Sequence, residues 1–449
     1  MRASTVWTRS SRSARETPAY ALPHGSAVPD RDRRNLLFAY AVSAAGSGVG
    51  SGALPIVAVL ALHASAFEVS LLSGLAGLAA AAVLLPLGAG IEHRRKRPVM
   101  IVADLVRCAA LASVPAAAAL GLLTFPQLVT VGAICTTASI AFGAASGAHL
   151  KAMTDPAGRL ATNSWFETVD WISSTAGPPA GGLLIGGLGA TATMAVDAAS
   201  YLGSAVGVRR IHTQEPSPPE RSADSGIRQG WRYIFAHPGL RPLFLNAMLF
   251  GGPVIMTFPL LAVLILDELR LPAAAYGLSL GLPCLGGIAG SRLAPVLVRR
   301  FGQRRVLLVA GAARAPWLLL YPVAPHGLAG LAVIMIADTA VLTSAGVFNP
   351  VFATYRMEVT ADAYLARVRT AWRISAKTVQ PLFVLAGGGL AALISVRATL
   401  LIAGLACAAS AALLRYQTTS TQAETTGTNL PGVPQAPRGR RWSHPWVRS

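Results

Sequence analysis

The stretch LPLGAGIEHRRKRPVMIVADLVR, residues 85–107, contains the pattern that decides the fold. An apolar run ends in four basic residues at 94–97, and a second apolar run begins directly after them. This alternation continues along the chain and produces twelve apolar stretches of about 17–25 residues, the length that crosses a bilayer. The twelve stretches are residues 35–61, 67–90, 98–122, 126–148, 168–187, 190–208, 241–266, 274–297, 306–323, 327–350, 372–394 and 397–414.

The composition of the chain supports a membrane protein. Of its 449 residues, 53% are hydrophobic and only 13% are charged, whereas a soluble domain carries about a quarter charged residues. The net charge of +19 would suit a nucleic-acid partner, but the basic residues form small clusters between apolar runs. We therefore expect a lipid bilayer as the environment and no nucleic-acid partner.

The distribution of basic residues predicts the orientation. The two tails and the even-numbered loops hold 32 of the 38 lysines and arginines. Because cytoplasmic loops are enriched in these residues, both termini are predicted to lie in the cytoplasm. The chain is thus predicted to be a multi-pass protein of the cell membrane.

The two halves of the chain repeat at a constant offset of 207 residues. Such a repeat predicts two parallel six-helix units, related by an axis along the membrane normal, as in transporters. The fold class is therefore an all-α integral membrane protein with twelve transmembrane helices in two six-helix pseudo-repeats. The matching pairs are Gly74/Gly281, Arg97/Arg304, Val99/Val306, Arg107/Arg314, Pro115/Pro322, Asp155/Asp362, Trp165/Trp372, Gly181/Gly388 and Gly182/Gly389.

The predicted organisation has five parts. A cytoplasmic N-terminal tail (1–34) precedes the first six-helix bundle (35–208). A cytoplasmic linker with an interfacial helix (209–240) leads to the second bundle (241–414), and a disordered cytoplasmic tail (415–449) follows. The interfacial helix is expected because apolar and arginine side chains of its second part fall on different faces.

These motifs, in this order, resemble the major facilitator superfamily, and within it the branch of enterobactin exporters and macrolide efflux proteins. The resemblance covers about residues 35–414 and also rests on GPPAGG (177–182), VDAASY (196–201) and IRQGWRYIFAHPGLR (227–241). Residues 92–107 depart from the family pattern, with Glu92 where the family usually has aspartate and Arg95 where it has a turn glycine. The second-half copy, residues 298–305, contains no acid, so gating is expected to be asymmetric.

The resemblance implies secondary active transport by alternating access. We expect proton-coupled efflux of a hydrophobic or amphipathic small molecule, such as a drug, siderophore or secondary metabolite. The alternatives are an importer or lipid flippase on the same fold, or a non-transporting sensor or enzyme. The proton motive force is the expected energy source, with no cofactor and a monomeric carrier.

Enzymatic and ATP-driven chemistry are not indicated by the sequence. None of the three lysines follows a glycine, as a phosphate-binding loop would require. The pattern Gly-x-Ser-x-Gly at residues 277–281 lies inside an apolar stretch rather than on a strand-to-helix turn. The four cysteines show no metal-ligand or disulfide spacing, so neither a metal site nor a catalytic site is predicted.

Two motifs are candidates for conformational control. One is an interhelical charge network that would latch the cytoplasmic mouth, although basic residues there also serve topology. Its members are Glu92, Arg94, Asp104 and Arg107. The other is a proline-kinked, small-residue face of the fifth span, which would seal the outer side or simply allow close packing. Its members are Gly177, Pro178, Gly181 and Gly182.

Ionisable or polar residues within apolar spans are candidates for proton coupling or for lining the cavity, because their insertion into a bilayer is costly. Asp338 is the first choice for a proton-exchanging carboxylate, followed by Glu167 or Asp170; a structural ion pair or hydrogen bond is the alternative. Asp170 and Lys377 occupy equivalent repeat positions with opposite charges, and we expect them to approach each other when the inner gate closes. The full set of coupling and cavity candidates is Asp338, Glu167, Asp170, Arg314, Asn349 and Asp197.

Overall fold

The structure is a computed structural model that describes residues 30–92, 94–153, 159–213, 215 and 227–414. Within these ranges the regular structure is helical throughout, as the apolar runs predict. The predicted C-terminal tail, nearly all of the N-terminal tail, His93 and most of the first part of the linker lie outside the described residues.

The first half of the molecule contains seven helices. The first predicted span consists of two helices that are separated at Ser51 and Gly52. The other predicted spans of this half each correspond to one helix. The helices are α1 (Asp30–Gly50), α2 (Ala53–Leu62), α3 (Ala66–Glu92), α4 (Lys96–Ala119), α5 (Phe125–Met153), α6 (Arg159–Leu188) and α7 (Ala190–Arg209).

The second half begins with the short helix predicted for the interface. It contains α8 (Ile227–Ala236), α9 (Leu240–Val263), α10 (Ala273–Gly281), α11 (Cys284–Phe301), α12 (Gln303–Ala313), α13 (Leu328–Val359), α14 (Asp362–Leu393) and α15 (Val396–Ser410). Helix α9 continues into a π-helical turn, Leu264–Glu268, and α12 is followed by a 3-10 segment, Pro316–Val323.

Ten helical stretches in the described part of the chain are long and apolar enough to cross a membrane. Two further helices, α6 and α7, are 30 and 20 residues long but are not in that set. The twelve predicted spans are therefore compatible with the observed helices, and the chain is an all-α membrane protein.

The bundle has two chemically different ends. One end, called here the basic end, carries residues 94–97, 209–210 and 299–305, which include most of the arginines in the described loops. The other, called the opposite end, carries the short turns at residues 63–65 and 120–124.

The apolar core differs between these ends. At the opposite end, one continuous cluster joins both halves, since residues of α2 such as Ile56 and of α9 such as Leu260 both belong to it. At the basic end each half has its own cluster, one around Met100 and Phe142 and the other around Trp372. The two halves are thus packed together at the opposite end and have separate cores at the basic end.

Glycines form the direct contacts between the halves. A Cβ on Gly77 of α3 would lie 2.7 Å from Pro381 Cγ of α14, and one on Gly277 of α10 would lie 2.3 Å from the Pro178 carbonyl oxygen of α6. Small residues permit such close helix approach. The pairs α3 with α14 and α6 with α10 therefore approach closely across the contact between the halves, beside the apolar cluster that α2 and α9 share.

Candidate functional site

A cavity of about 710 Å³ lies between the two halves. Ser43 and Ser47 of α1 are one helical turn apart and share the face that lines the cavity. Ser51, in the break after α1, lines it as well. Hydroxyl groups dominate the polar part of the wall. The serines that line the cavity are Ser43, Ser47, Ser51, Ser73, Ser139, Ser173 and Ser174.

The two sides of the cavity differ in chemistry. The first half supplies these serines, together with Arg107 and Asp170, the charged residues among the described lining. The second half contributes mainly apolar and aromatic groups, including Phe258, Tyr276 and Cys284. The wall can therefore offer both ring surfaces and hydroxyl hydrogen bonds to one bound molecule.

Asp170 carries a carboxylate at the cavity wall and is exposed there. The Tyr40 hydroxyl donates a hydrogen bond of 2.8 Å to Asp170 Oδ1. The Tyr40 ring lies 3.9 Å, centroid to centroid, from Phe166 and 6.4 Å from Phe142. An acidic group is thus available at the cavity surface, and its hydrogen-bond donor Tyr40 belongs to a cluster of three aromatic rings.

Arg107 lies in a buried cluster of the first half. Its guanidinium donates to Asp104 Oδ1 in the same helix, and to the Ser43 hydroxyl of α1 at 3.2 Å. It also lies over two rings, 4.1 Å from the Tyr201 centroid and 4.9 Å from that of Phe142. Arg107 thereby links α1, α4, α5 and α7 at the cavity wall.

Asp197 of α7 is a second buried carboxylate beside this cluster. It is 4% exposed and interacts electrostatically with Arg107. It packs against the backbone of α1, since a Cβ on Gly50 would lie 2.0 Å from Asp197 Oδ2. Among the described residues, Asp197 Oδ1 has no hydrogen-bond partner. Two carboxylates therefore surround one arginine.

Arg314 occupies the equivalent position of the second half. Its guanidinium donates a 2.6 Å hydrogen bond to Asn246 Oδ1 and lies 3.9 Å and 4.0 Å from the ring centroids of Phe250 and Phe348. Arg314 is buried and is not part of the described cavity lining. The repeat therefore preserves the arginine and its aromatic surroundings, but not the carboxylates.

Asp338, the first-choice coupling residue, lies away from the described cavity lining. It is partly buried and accepts a short hydrogen bond from the Tyr321 hydroxyl of the 3-10 segment. Asn349 is exposed and also lies outside that lining. Of the carboxylates predicted for coupling, Asp170 is the one that the described lining contains.

Lys377 is exposed on α14 and lines a smaller cavity of about 190 Å³. This cavity adjoins the central one, because Ser73 and Phe258 line both. Within the described part of the chain Lys377 and Asp170 form no ion pair. They face neighbouring spaces from opposite halves.

The glycine-proline motif of α6 is a three-helix contact. A Cβ on Gly181 would lie 2.1 Å from the Val49 carbonyl oxygen of α1, and one on Gly182 would lie 2.8 Å from the Ala273 carbonyl oxygen of α10. A Cβ on Gly177 would meet the Gly48 backbone at 2.5 Å. Gly177 and Gly181 therefore pack α6 against α1 of the first half, and Gly182 packs α6 against α10 of the second half.

The charge network predicted at the mouth is divided in space. Asp104 and Arg107 pair with each other deep in α4, whereas Arg94 is exposed at the basic end. Glu92 and Glu167 lie in helices, and their side chains are outside the described part of the structure.

One contact at the basic end has no signal in the sequence. Glu215, from the linker, accepts hydrogen bonds from the backbone N–H groups of Lys96 and Arg97, the latter at 2.6 Å. A carboxylate there satisfies free donors at the start of α4 and interacts favourably with the helix dipole. The buried His149 Nδ1 lies 3.8 Å from Glu215 Oε1. Capping by a residue 119 positions away has no local sequence signature.

Asp32 makes a related contact with the linker. This buried side chain of α1 accepts hydrogen bonds from the backbone N–H of His212 and from both the N–H and the hydroxyl of Thr213, at 2.7–2.9 Å. The beginning of the linker is therefore fixed to the first half.

The architecture defines a class of protein: a helical membrane protein with a central cavity between its two halves, as in carriers. Residues 36–376 match the sequence model of the Major Facilitator Superfamily, and the chain belongs to that family.

Comparison with individual proteins is consistent with this assignment. The chain is 27% identical over 386 residues to the multidrug efflux pump Tap of Mycolicibacterium fortuitum, and the match covers 82% of this chain and 90% of Tap. Among solved structures, a bacterial homologue of the iron transporter ferroportin in an inward-facing state has a TM-score of 0.71 at 16% identity, covering 87% and 99% of the two chains. The nucleoside transporter NupG has a TM-score of 0.68 at 13% identity, covering 86% of this chain and 99% of NupG. These structures show that the fold is shared.

Proposed function

We propose that this protein is a secondary active transporter that exports hydrophobic or amphipathic small molecules by proton-coupled alternating access. The observation that carries the proposal is the central cavity between two halves that are packed together at one end only. Such an arrangement suits a carrier that exposes one site to each side in turn. The similarity to a multidrug efflux pump favours export and a broad substrate range.

The direction of opening follows from the proposed orientation. The positive-inside rule indicates that the basic end lies in the cytoplasm, with the protein in the cell membrane. The two halves have separate cores at that end, so this structure corresponds to an inward-open state. The shared core at the opposite end then closes the external side. An exporter loads its substrate in this state.

Substrate binding is proposed to use the mixed wall of the cavity. Aromatic rings provide contact area that is tolerant of shape, and a small number of polar groups fix orientation. Here Phe142, Phe258 and Tyr276 supply rings, and the serine hydroxyls can donate or accept hydrogen bonds. A wall of this kind suits amphipathic organic molecules of different shapes.

Asp170 is proposed as the carboxylate that couples protons to transport. It lies at the cavity wall, where both water and substrate reach it, and a bound proton neutralises it. A substrate carrying a positive charge would compete with that proton for the same carboxylate, which links export to proton entry. The membrane potential supplies about 2.3 kcal/mol per charge per 100 mV, so one or two protons can drive a modest gradient.

The efflux assay is the main test of this proposal. Everted membrane vesicles are prepared from an efflux-deficient host with and without the protein. Only vesicles that contain the protein should accumulate ethidium when respiration is energised. They should lose the ethidium after an uncoupler is added. Because everted vesicles expose the cytoplasmic face, accumulation indicates export. Loss of ethidium from these vesicles upon energisation would indicate an importer, and no change with any compound of a toxicity panel would contradict transport of this class.

Gate closure is proposed to bring Asp170 and Lys377 together. They approach from opposite halves near the basic end, where closing must move the halves towards each other. Because Asp170 is also the proposed coupling carboxylate, gate closure is measured apart from efflux, by the labelling of a cysteine placed at the basic end. Asp170→Lys and Lys377→Asp should each keep this cysteine accessible when substrate is added, and the double swap should restore its protection. A double variant no better than the single ones would contradict the pairing.

A further inference from the structure

A second apolar space lies on the outer face of the second half, at the basic end. This lateral groove, of about 390 Å³, is formed where α11, α12 and α13 converge. It is separate from the central cavity and shares no lining residue with it. The groove is defined by Leu297, Phe301, Arg305, Val309, Ala313 and Val347.

The groove runs along a helix from a charged mouth to an apolar interior. Arg305, Val309 and Ala313 are four residues apart on α12, so they follow one face over about 12 Å. Val309 is 61% exposed and Phe301 is 45% exposed. Apolar side chains exposed on a membrane-spanning helix face hydrocarbon, so the groove opens towards lipid tails.

Positive charge is concentrated at the mouth. The end of α11 and the start of α12 carry four arginines, at positions 299, 300, 304 and 305. The guanidinium groups of Arg300 and Arg305 lie 5.4 Å and 5.9 Å from the Phe301 ring centroid. Glu358, an acid near this end, accepts a hydrogen bond from Gln303. The excess of positive charge suits an anionic group at the level of the lipid headgroups.

The sequence repeat does not require this arrangement. At the 207-residue offset, Phe301 corresponds to Arg94 and Arg305 corresponds to Pro98 in the first half. Arg304 repeats Arg97, but Phe301 and Arg305 are particular to the second half, so the pairing of this ring with this charge is not a by-product of the shared helix packing.

We propose that the lateral groove binds one anionic phospholipid of the adjacent leaflet. One acyl chain lies along α12 between Phe301 and Ala313, and the phosphodiester group lies at Arg305. The chemistry recognised is the combination of an anionic headgroup with an attached chain, since the groove provides a cation at the mouth and an apolar interior.

Native mass spectrometry of the purified full-length chain tests this proposal. Delipidated protein is mixed with palmitoyl-oleoyl phosphatidylglycerol or with the phosphatidylethanolamine of the same chains. Wild type should retain one phosphatidylglycerol at least five-fold more than phosphatidylethanolamine. Arg305→Gln should remove this preference, and Ala313→Phe, which fills the groove without changing charge, should lower retention of phosphatidylglycerol at least five-fold.

Two matched controls separate the groove from general effects. Arg241→Gln removes an exposed arginine from the start of α9 outside the groove, and Ala312→Phe adds the same ring one position earlier, at an exposed residue outside the lining. Both should retain phosphatidylglycerol as wild type does. Melting temperatures within a few degrees of wild type show that each variant is folded, and Arg305→Met, which also removes the charge, replaces Arg305→Gln if the latter is not folded.

Three results would overturn the proposal. These are equal retention of the two lipids by wild type, equal loss in the control variants, and unchanged retention in both groove variants. Glycerol phosphate, added in excess as a headgroup without chains, should not displace the lipid. Displacement by glycerol phosphate would indicate a phosphate site at the arginines alone and would contradict a lipid groove.

Discussion

Arg107 and Arg314 occupy equivalent positions in the two halves, and their surroundings differ in one respect. Both are buried and both lie over two aromatic rings. Arg107 has Asp104 as a partner and Asp197 nearby, whereas Arg314 has the neutral amide of Asn246. At the 207-residue offset the two carboxylates correspond to Gly311 and Gly404.

This difference indicates a division of roles between the halves. A group that changes its protonation state must be a carboxylate or a similar side chain, and the first half places three of them, Asp104, Asp170 and Asp197, in or beside the cavity. In the second half the equivalent arginine holds helices together through an amide and two rings. We infer that the first half carries the carboxylates that bind and release protons. The second half supplies the mainly apolar and aromatic wall opposite them.

The largest expected effect on stability follows from removing Asp104, the ion-pair partner of Arg107. Removing one member of a buried ion pair costs about 3–5 kcal/mol, and Asp104 is the carboxylate to which the buried Arg107 donates. Asp104→Ala should therefore lower the free energy of unfolding more than Asn246→Ala, for which the loss of a hydrogen bond to a charged group costs about 1.5–3 kcal/mol. SDS titration of the purified variants measures both, and a larger loss for Asn246→Ala would contradict the difference between the halves.

The next effect concerns the cavity carboxylate. Asp170→Asn should reduce proton-driven ethidium efflux at least ten-fold while expression is retained, because the side chain can no longer exchange a proton. Asp338→Asn, in the second half and outside the described cavity lining, is the comparison and should reduce efflux less. A reversed order in energised everted vesicles would return the coupling role to Asp338, the first choice from sequence.

A smaller effect is expected at the contact between halves. Gly182→Ala places a methyl group 2.8 Å from the Ala273 carbonyl oxygen, so α6 and α10 must separate slightly. This variant should transport several-fold more slowly and show greater labelling of a cysteine placed at the opposite end. Gly186→Ala has nothing within 4 Å of the added Cβ and is the matched control. Identical transport and labelling in the two variants would contradict the sealing role proposed for the glycine-proline motif of α6.

The smallest effect is expected for the hydroxyls that contact carboxylates. Tyr321→Phe removes the donor to Asp338, and Tyr40→Phe removes the donor to Asp170. Each should cost about 1 kcal/mol of stability, but only Tyr40→Phe should slow proton-driven efflux. An equal loss of efflux rate for both variants, measured in energised proteoliposomes, would argue against assigning coupling to the first half.

Much of the fold was predictable from the sequence because a bilayer imposes simple rules. Apolar length identified the spans, and the interfacial helix was expected where α8 is found. The interruption of the first span at Ser51 and Gly52 and of the eighth at Leu282 and Pro283 was not expected. Hydropathy averages over a whole turn or more, so it does not register a local break in a helix.

The candidate site was only partly predictable. Asn349 was expected at the cavity but is not in the described lining, whereas the serines at positions 43, 47 and 51 line it. Periodicity shows which residues share a face of a helix, but the direction of that face depends on how the helix rotates against its neighbours. For the same reason Asp170, rather than Asp338, is the carboxylate found at the wall.

The sequence by itself determined the class of protein, the repeat and the ends at which charge accumulates, because membrane insertion acts on composition and length. Tertiary structure alone decided which side chains meet across elements. Glu215 reaches the start of α4, Asp338 binds Tyr321, and Arg314 binds Asn246. These contacts depend on distances of a few ångströms between helices, and such distances follow from the packing of every side chain between them.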